Sequence, residues 1–339
     1  MEANKKRILY IGNNALRKTN YGSSIYLVSK LLRSEGYHVL ISSSQKNIFF
    51  RLISMCFSIL KNRNNVDYIL IDTFSSLNFV SALFTSQLAR LFNKNYIPIL
   101  RGGNLPYRIN KNPFLSGLIF NNSYINVAPS KYLKTEFAKR KYKTVMIPNV
   151  LEIDKYKYSK KKIIKPNILW VRAFKELYNP RLAVEVFTLV KEEFPEAKLC
   201  MIGPEKDNSF IEVQKKIFEL NLEKSIELTG VLPKHVWQEK SKFFDIFINT
   251  TNFDNTPNSI IEGMALGLTI VSTNVGGMPY LIDNNIDGIL VEKNNAHKMA
   301  KAIIDLIKEN NLEYMKKARL KAESFGWENV KHLWFKILK

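Results

Sequence analysis

The sequence alternates short apolar runs with longer amphipathic stretches along nearly its whole length, and this pattern limits the fold more than any other feature. Continuous apolar runs are typical of parallel strands buried on both faces, and amphipathic stretches are typical of the helices that cover them. The first six predicted strands are Ile8–Gly12, His38–Ser42, Tyr68–Asp72, Tyr96–Leu100, Tyr124–Ala128 and Thr144–Ile147. The next six are Ile168–Val171, Lys198–Ile202, Ile226–Thr229, Asp245–Asn249, Thr269–Ser272 and Gly288–Val291. The pattern therefore predicts an α/β protein with two similar domains, each built on a parallel sheet.

A lysine-rich run over 156–166 divides the two sets of strands. It has no clear periodicity, so we interpret 159–166 as a linker. The predicted domains are then 1–158 and 167–322, and a last helix over 323–339 has the N-terminal domain as one candidate packing partner. Because ligands of open parallel sheets bind beyond the carboxyl ends of the strands, we expect a site in the cleft between the two domains.

One helical stretch in the first half allows two interpretations. The residues that recur at the spacing of one helix face are Phe49, Leu52, Ile53, Cys56, Phe57 and Leu60. A basic amphipathic helix of this kind can lie on a membrane surface. Because the stretch lies between two predicted strands, we favour packing of this face on the sheet.

Positive charge is concentrated in the first half of the chain. Residues 1–160 hold 25 Lys and Arg against 7 Asp and Glu, a net charge of +18, whereas residues 161–339 hold 26 against 23. Such an excess predicts an anionic partner: a nucleic acid, an anionic membrane surface or a phosphorylated substrate. A merely solvated surface is the alternative. No recognised nucleic-acid-binding motif accompanies the charge, so we do not expect a nucleic acid.

The sequence predicts a cytoplasmic protein, with a peripheral position at the inner face of the membrane as a further option. Cys56 and Cys200 lie far apart and form no metal or redox pattern. No secretory signal is visible, and the longest apolar stretch, Phe49–Leu60, contains Arg51 and is too short to span a bilayer. The sequence also lacks the G-x-G-x-x-G dinucleotide fingerprint, a D-x-D pair and a His/Cys cluster, so we expect neither a cofactor nor a metal ion.

The segment 249–267 carries the strongest signals for a functional loop. It follows a predicted strand, and Thr256 and Pro257 suit the N-cap and the first position of a helix that ends at Gly267. The amides of residues 258–260 would then point out of the helix start, where they form a ready site for phosphate.

Within that helix, Glu262 is the most informative residue. It lies beyond the first turn, where the helix dipole gives an anion little stabilisation, and its neighbours are apolar. A buried carboxylate needs hydrogen-bond donors, and ligand hydroxyls would supply them. The alternative is an exposed glutamate on the polar edge of the helix.

Taken in order, these features resemble the family 4 retaining glycosyltransferases. Asp254 and Glu262 match the spacing of that family's E-x7-E motif. The other similar segments are 36–39, 147–149, 267–282, 287–291 and 325–328. The resemblance covers nearly the whole chain and is strongest over 245–291. It implies the GT-B fold, in which two Rossmann-like domains face a central cleft and the C-terminal domain holds most of the donor.

By this resemblance, Glu262 binds the donor ribose, and Asp254, one methylene shorter than the family's glutamate, contacts the transferred sugar. The other residues that it implies for donor binding are Asn255, Thr256, Asn258, Ser259, Gly203, Gly276 and Gly277. Arg172 directly follows a predicted strand and can grip a diphosphate through two hydrogen bonds. It matches the family's arginine, which stabilises the leaving group.

The family usually has a lysine some five residues after this arginine. Here the sequence has Leu177 and Tyr178, and Lys175 is the candidate substitute. A surface Arg and Lys at a helix start are the alternative interpretation.

Two loops of the N-terminal half are further candidates for acceptor or phosphate binding. Tyr21, Gly22 and Ser23 resemble the family's glycine-rich loop, which approaches the donor phosphate and the acceptor, although a plain helix cap would explain them equally well. Arg101 and Gly102 follow the fourth predicted strand, where they would meet a phosphate or sugar of the acceptor.

The resemblance implies a retaining, metal-independent glycosyltransferase that moves a hexose-type sugar from a nucleotide diphosphate sugar to a glycan or lipid-linked saccharide acceptor. Resemblance and charge together favour a role in bacterial surface polysaccharide synthesis. One rival is a nucleotide-sugar epimerase on the same fold, which would need no acceptor. The other is a basic nucleic-acid-binding protein.

Overall fold

The structure, a computed structural model, describes residues 5–12, 24–43, 45 and 47–339. Its internal contacts divide the chain into two compact units. The first unit comprises Met1–Val150 and Trp327–Lys339, and the second comprises Leu151–Gly326.

Both units alternate strands and helices. The strands of the described residues are β1 (Arg7–Ile11), β2 (His38–Ser42), β3 (Tyr68–Thr73), β4 (Asn95–Leu100), β5 (Asn126–Ala128), β6 (Thr144–Met146), β7 (Asn167–Val171), β8 (Lys198–Ile202), β9 (Ile226–Gly230), β10 (Ile246–Asn249), β11 (Thr269–Thr273) and β12 (Ile289–Val291). The helices are α1 (Ser24–Ser34), α2 (Ile48–Asn62), α3 (Asn78–Leu91), α4 (Leu105–Lys111), α5 (Pro113–Phe120), α6 (Lys131–Ala138), α7 (Pro180–Glu193), α8 (Ser209–Glu219), α9 (Lys234–Lys240), α10 (Asn258–Leu266), α11 (Met278–Leu281), α12 (Ala296–Glu309), α13 (Glu313–Glu323) and α14 (Trp327–Ile337).

The first unit is a parallel sheet in the order β2-β1-β3-β4-β5-β6, covered by helices on both faces. Successive side chains of a strand point to opposite faces, so β1 contributes to two separate cores. Leu9 and Ile11 pack with residues of α2–α6, whereas Ile8 and Tyr10 pack with α1 and α14. The last helix of the chain therefore completes the core of the first unit.

The orientation of α2 differs from the predicted one. Its buried side chains are Arg51, Met55 and Ile59, and the Arg51 guanidinium donates to Asn78 Oδ1 at 3.0 Å. Phe49 and Phe57, which we expected to pack on the sheet, are each 63% exposed. The prediction was wrong because α2 is apolar on two opposite sides, and periodicity alone does not decide which side the sheet covers.

The second unit is a parallel sheet in the order β12-β11-β10-β7-β8-β9. The prediction of two parallel six-stranded sheets is thus confirmed, with strand ends within two residues of the predicted ones. The chain builds outward from β7 to β9 and then returns to place β10 on the other side of β7. This reversal makes the carboxyl ends of β7 and β10 the topological switch point, where ligands of such sheets bind.

The lysine-rich run belongs to the second unit. Leu151, Tyr156 and Ile164 are buried in its cores, and Lys161 forms an ion pair of 3.5 Å with Asp245. The boundary between the compact units therefore lies at Val150, before the segment that we interpreted as a linker.

Candidate active site

The switch point of the second sheet brings Arg172 and Asp254 together. Arg172 directly follows β7, and Asp254 lies in the loop between β10 and α10. A guanidinium nitrogen of Arg172, Nη2, forms an ion pair with Asp254 Oδ2, and both side chains are largely buried. The two residues lie 82 positions apart in the sequence, and the neighbouring positions of β7 and β10 in the sheet make them partners.

The Arg172 guanidinium has five N–H donors but few other partners in the protein. The Tyr178 ring lies 4.3 Å from its guanidinium carbon, a cation–π contact. Burial lowers the pKa of Arg172, and the nearby Tyr178 and Glu262 oppose that shift. The guanidinium is thus a desolvated cation, for which an anionic ligand is a favourable neighbour.

Three buried polar atoms around this pair have no hydrogen-bond partner within the described part of the chain. They are Arg172 Nε, Asn252 Oδ1 and Thr256 Oγ1. Buried polar groups are almost always hydrogen-bonded, because an unpaired one costs about 1–3 kcal/mol. A donor, an acceptor and a hydroxyl that can do either are thus left for a polar ligand to bind.

The glycines predicted to bind the donor have a steric role here. A Cβ on Gly276 would overlap the carbonyl of Asp254, and a Cβ on Gly277 would overlap that of Asn255. The Gly277 amide donates to the Asp254 carbonyl at 2.9 Å. Gly203 likewise lies against the backbone of Arg172, with no room for a side chain. These glycines fix the backbone on which the Arg172–Asp254 pair is built.

The start of α10 differs from prediction by one residue. Pro257, with φ −69° and ψ 122°, occupies the N-cap position that we assigned to Thr256, and it provides no side-chain cap. The Ile260 amide donates to the Pro257 carbonyl at 3.1 Å, so it is not available to a phosphate as we expected. The extended conformation of Pro257 moves the first helical turn one residue further along the chain. Asn255 is buried, Ser259 is half-buried and Asn258 is exposed.

Glu262 is a largely buried carboxylate with two donors. Its side chain is 13% exposed, which excludes the alternative of an exposed glutamate. Glu262 Oε1 accepts a hydrogen bond from the Tyr156 hydroxyl at 2.8 Å. The same oxygen forms an ion pair with Lys234 Nζ, also at 2.8 Å. Burial, followed by the charge of Glu262, raises the pKa of Tyr156, so its hydroxyl remains a donor. Both contacts are made to the same carboxylate oxygen.

Lys175 lies at the edge of this arrangement. It is exposed and precedes the 3₁₀ helix Glu176–Tyr178, whose first amide donates to Asp207 Oδ2 at 2.9 Å. Across the described ranges, Lys175 forms no ion pair with Asp254 or Glu262. Its proposed role in the reaction stays a prediction.

Arg101 of the first unit is fully engaged within that unit. Its Nε donates to Asp72 Oδ1 at 2.9 Å, its Nη1 to Asn149 Oδ1 at 2.7 Å and its Nη2 to the Tyr10 hydroxyl at 2.9 Å. Burial opposes the charge of Arg101, but Tyr10 and Asp72 raise its pKa overall. A Cβ on Gly102 would overlap the Ser75 amide nitrogen. The predicted loop residues Tyr21, Gly22 and Ser23 lie outside the described residues.

Sequence reasoning missed several residues of the second-unit site. Tyr156 begins the lysine-rich run and was assigned to the predicted N-terminal domain, and Lys234 follows Pro233 after β9 without any motif. Tyr178 was noted only as a departure from the family's lysine. The sequence held one signal for Tyr178: an aromatic residue a few positions after an arginine that follows a strand.

The described residues contain no group of three or more His, Cys, Asp or Glu side chains arranged to hold a metal ion. None of the helices described is long and apolar enough to cross a membrane.

Comparison with known proteins gives matches that centre on the second unit. Residues 154–324, half of the chain, match the family model of glycosyl transferases group 1. Poly(glycerol-phosphate) alpha-glucosyltransferase of Bacillus subtilis is 27% identical over 155 residues, 45% of this chain and 22% of that protein. An amylovoran biosynthesis glycosyltransferase of Erwinia amylovora, AmsK, is 26% identical over 147 residues, 41% of this chain and 35% of that protein. The matched parts thus span well under half of these relatives.

A solved structure matches the whole chain. Anabaena Alr3699/HepE in complex with UDP has a TM-score of 0.79 and 14% sequence identity, and the match covers 98% of this chain and 99% of that one. At this identity the likeness shows the fold alone. It confirms the expectation of two Rossmann-like α/β domains.

Proposed function

The chain belongs to the glycosyl transferases group 1 family and has the GT-B fold, and from this premise we propose that it is a retaining, metal-independent enzyme. Its donor is a nucleotide diphosphate sugar, and it transfers a hexose-type sugar. The acceptor is a glycan or lipid-linked saccharide.

One observation carries this proposal. A buried arginine–aspartate pair at the switch point of a parallel sheet lies among three unpartnered polar atoms. A diphosphate supplies acceptors for Arg172 Nε and anionic charge for the guanidinium. Sugar hydroxyls supply a donor for Asn252 Oδ1, and the Thr256 hydroxyl can either accept from a sugar hydroxyl or donate to a phosphate oxygen.

Glu262 then binds the ribose of the donor. Tyr156 and Lys234 both contact Oε1, which holds the carboxylate in one orientation. A ribose diol can donate two hydrogen bonds to a carboxylate held in this way. Lys234 also lies 5.1 Å from the Tyr156 ring, so the three residues form one supported group.

The proposed reaction breaks the bond between the anomeric carbon and the oxygen of the donor diphosphate, and negative charge develops on that oxygen. Arg172 and the amides at the start of α10 stabilise this charge, as preorganised donors do in other enzymes. The acceptor hydroxyl forms the new bond on the same face of the sugar, and its proton passes to the leaving phosphate oxygen. Asp254 orients the sugar. Because arginine and backbone amides supply the positive potential, the scheme requires no metal ion.

The names of the relatives support the choice of acceptor. One acts on poly(glycerol-phosphate), and another belongs to amylovoran biosynthesis. Both names indicate polymeric or polysaccharide products. We therefore place this enzyme in bacterial surface polysaccharide synthesis.

Donor binding is the first test. We would measure thermal unfolding with UDP-glucose and with GDP-, TDP- and ADP-glucose, in EDTA, for the wild type, Arg172→Ala and Glu262→Gln. A donor at a hundred times its Kd adds about 2.7 kcal/mol to the free energy of unfolding. We expect one nucleotide to stabilise the wild type, and a loss of about 1.5–3 kcal/mol of binding free energy in Glu262→Gln, the range for hydrogen bonds to charged groups.

Glu227→Gln is the matched control, because Glu227 pairs with Lys240 on the exposed surface of the same unit. It should bind the donor as the wild type does. The absence of any shift, or a shift that appears only with added Mg²⁺, would contradict the proposal. With the donor known, the anomeric configuration of the product, read by NMR, tests retention, and donor consumption without an acceptor would indicate the epimerase instead.

A further inference from the structure

The outer side of α2 is an exposed apolar surface. Opposite its buried side, the helix presents Phe49, Phe50, Ile53, Phe57 and Leu60 to solvent, with exposed fractions from 38% at Leu60 to 63% at Phe49 and Phe57. These positions share one side of the helix by their spacing. An ordinary surface helix has polar residues there, so α2 carries a second apolar stripe that the first unit does not bury.

The neighbouring helix α3 extends this surface. α2 and α3 lie side by side on the same face of the sheet, joined by the Arg51–Asn78 hydrogen bond and by Arg63 over the Phe92 ring at 5.6 Å. Opposite the buried residues of α3, the helix exposes Val80, Phe84 and Leu91, and its N-cap residue Leu77 is exposed as well. The nine side chains of the two helices, which we call the α2–α3 apolar face, form a patch of a kind that usually marks an interaction site.

The charge around this face has one sign. Between Glu35 and Glu136 the sequence contains only two acidic residues, Asp67 and Asp72. Asp72 is buried in its ion pair with Arg101, and Asp67 accepts a hydrogen bond from the Arg7 amide. The basic residues at the carboxyl-terminal ends of α2 and α3 are Lys61, Arg63, Arg90 and Lys94. An apolar face with a cationic rim and almost no acidic residue complements a partner that has an apolar interior and negative charge at its surface.

We propose that the α2–α3 apolar face docks the protein on an anionic lipid bilayer. The phenylalanine rings enter the boundary between headgroups and acyl chains, and the cationic rim contacts the headgroup phosphates. A second copy of the chain fits less well, because a symmetric contact would bring two cationic rims together. A nucleic acid would need arginine or lysine within the contact surface, whereas this face is aliphatic and aromatic.

Vesicle binding tests the proposal and does not depend on the proposed catalytic activity. The protein is floated with vesicles of phosphatidylcholine alone and with an equimolar mixture of phosphatidylcholine and phosphatidylglycerol, at low and high salt. The wild type should float with the mixed vesicles and bind less at high salt. In Phe49→Ser/Phe50→Ser/Phe57→Ser the bound fraction should fall at least about tenfold, because three rings that enter the bilayer are replaced by polar side chains.

The matched control replaces three equally exposed apolar residues of the second unit, Ile211→Ser/Phe218→Ser/Phe243→Ser, whose exposed fractions are 64% to 75%. It should float as the wild type does. Because the replaced side chains are exposed in both variants, the melting temperature should be retained, and this is checked first. Failure of the wild type to bind the mixed vesicles, or equal binding by the two triple variants, overturns the proposal. A wild-type dimer that the α2 variant converts to a monomer, without vesicle binding, assigns the face to self-association instead.

Discussion

Each unit has an arginine directly after a parallel strand, and each arginine forms an ion pair with an aspartate. Arg101 follows β4 and pairs with Asp72, whereas Arg172 follows β7 and pairs with Asp254. In the first unit the three guanidinium nitrogens bond to three different protein acceptors. In the second unit one nitrogen contacts the carboxylate, the guanidinium lies over an aromatic ring, and Nε has no partner among the described residues.

The comparison separates a structural arginine from one available to a ligand. A guanidinium whose hydrogen bonds are all made inside the protein stabilises the fold and gains little from a substrate. A guanidinium that is buried but incompletely bonded is costly to the folded protein until an anion arrives. Functional sites commonly keep such costs, which is why we propose Arg172, and not Arg101, as the arginine that binds the ligand.

The largest effect that we expect is on the first unit. Arg101→Ala removes the cation beside Asp72, whose side chain is only 7% exposed, and leaves that carboxylate with the hydrogen bond from the Tyr10 hydroxyl. Breaking a buried pair in this way costs about 3–5 kcal/mol of the free energy of unfolding. Urea denaturation would measure the loss, and hydrogen exchange would locate it in β3 and β4.

Arg181→Ala serves as the control, since Arg181 pairs with Glu212 on the surface with both side chains about half exposed. Its loss should be within about 1 kcal/mol. A similarly small loss of unfolding free energy in Arg101→Ala would contradict the claim that Arg101 stabilises the first unit.

For Arg172→Ala we expect the opposite profile, with activity lost and stability kept. Removal of one preorganised donor from a developing oxyanion lowers kcat by about 10²–10³-fold. Asp254 keeps a hydrogen bond from the Asn255 amide to Oδ1 at 2.7 Å, and the substitution also removes the desolvation cost of the Arg172 guanidinium, so the free energy of unfolding should fall by less than it does in Arg101→Ala. Steady-state kinetics with the donor identified by thermal shift, beside urea denaturation, provide both numbers. An unfolding loss as large as that of Arg101→Ala would show that the two arginines have the same role.

The smallest expected effect concerns the ring over Arg172. Tyr178→Leu removes the cation–π contact, worth about 1 kcal/mol, and should lower kcat/KM roughly fivefold. Tyr178→Phe keeps the ring and should retain most of the activity if the ring is what matters. If the two variants lose activity equally, the hydroxyl is the functional group, and the contact to the ring is incidental.

Much of the second-unit site could be predicted from the sequence because its residues lie next to strand ends and helix starts. Arg172 and Glu262 were singled out by position and residue type, and Asp254 by the spacing that it shares with the family's E-x7-E motif. Their partners could not be predicted in the same way. Tyr156 and Lys234 lie 106 and 28 positions from Glu262 in the sequence, and no local pattern connects them.

The start of α10 and the face of α2 show the same limit at shorter range. The proline and threonine at the start of α10 both suit a helix start, and the backbone conformation of Pro257 decided between two positions one residue apart. For α2, hydrophobic periodicity identified a helix but chose the exposed side as the buried one. The side of α2 that faces α3 contacts it through a hydrogen bond between Arg51 and Asn78. Both residues are polar, so a hydrophobic pattern cannot predict that contact.

The sequence by itself determined the order of strands and helices, the two parallel sheets and the loops in which chemistry was to be sought. These depend on local periodicity and on backbone preferences, which each short segment carries within itself. Only the tertiary structure decided which charges meet. Each guanidinium nitrogen of Arg101 has an acceptor in the protein, whereas Nε of Arg172 has none among the described residues. Glu262 is held by Tyr156 and Lys234. Ion pairs and burial depend on which distant strands become neighbours, and the free energy that selects those neighbours belongs to the packed core rather than to any one segment.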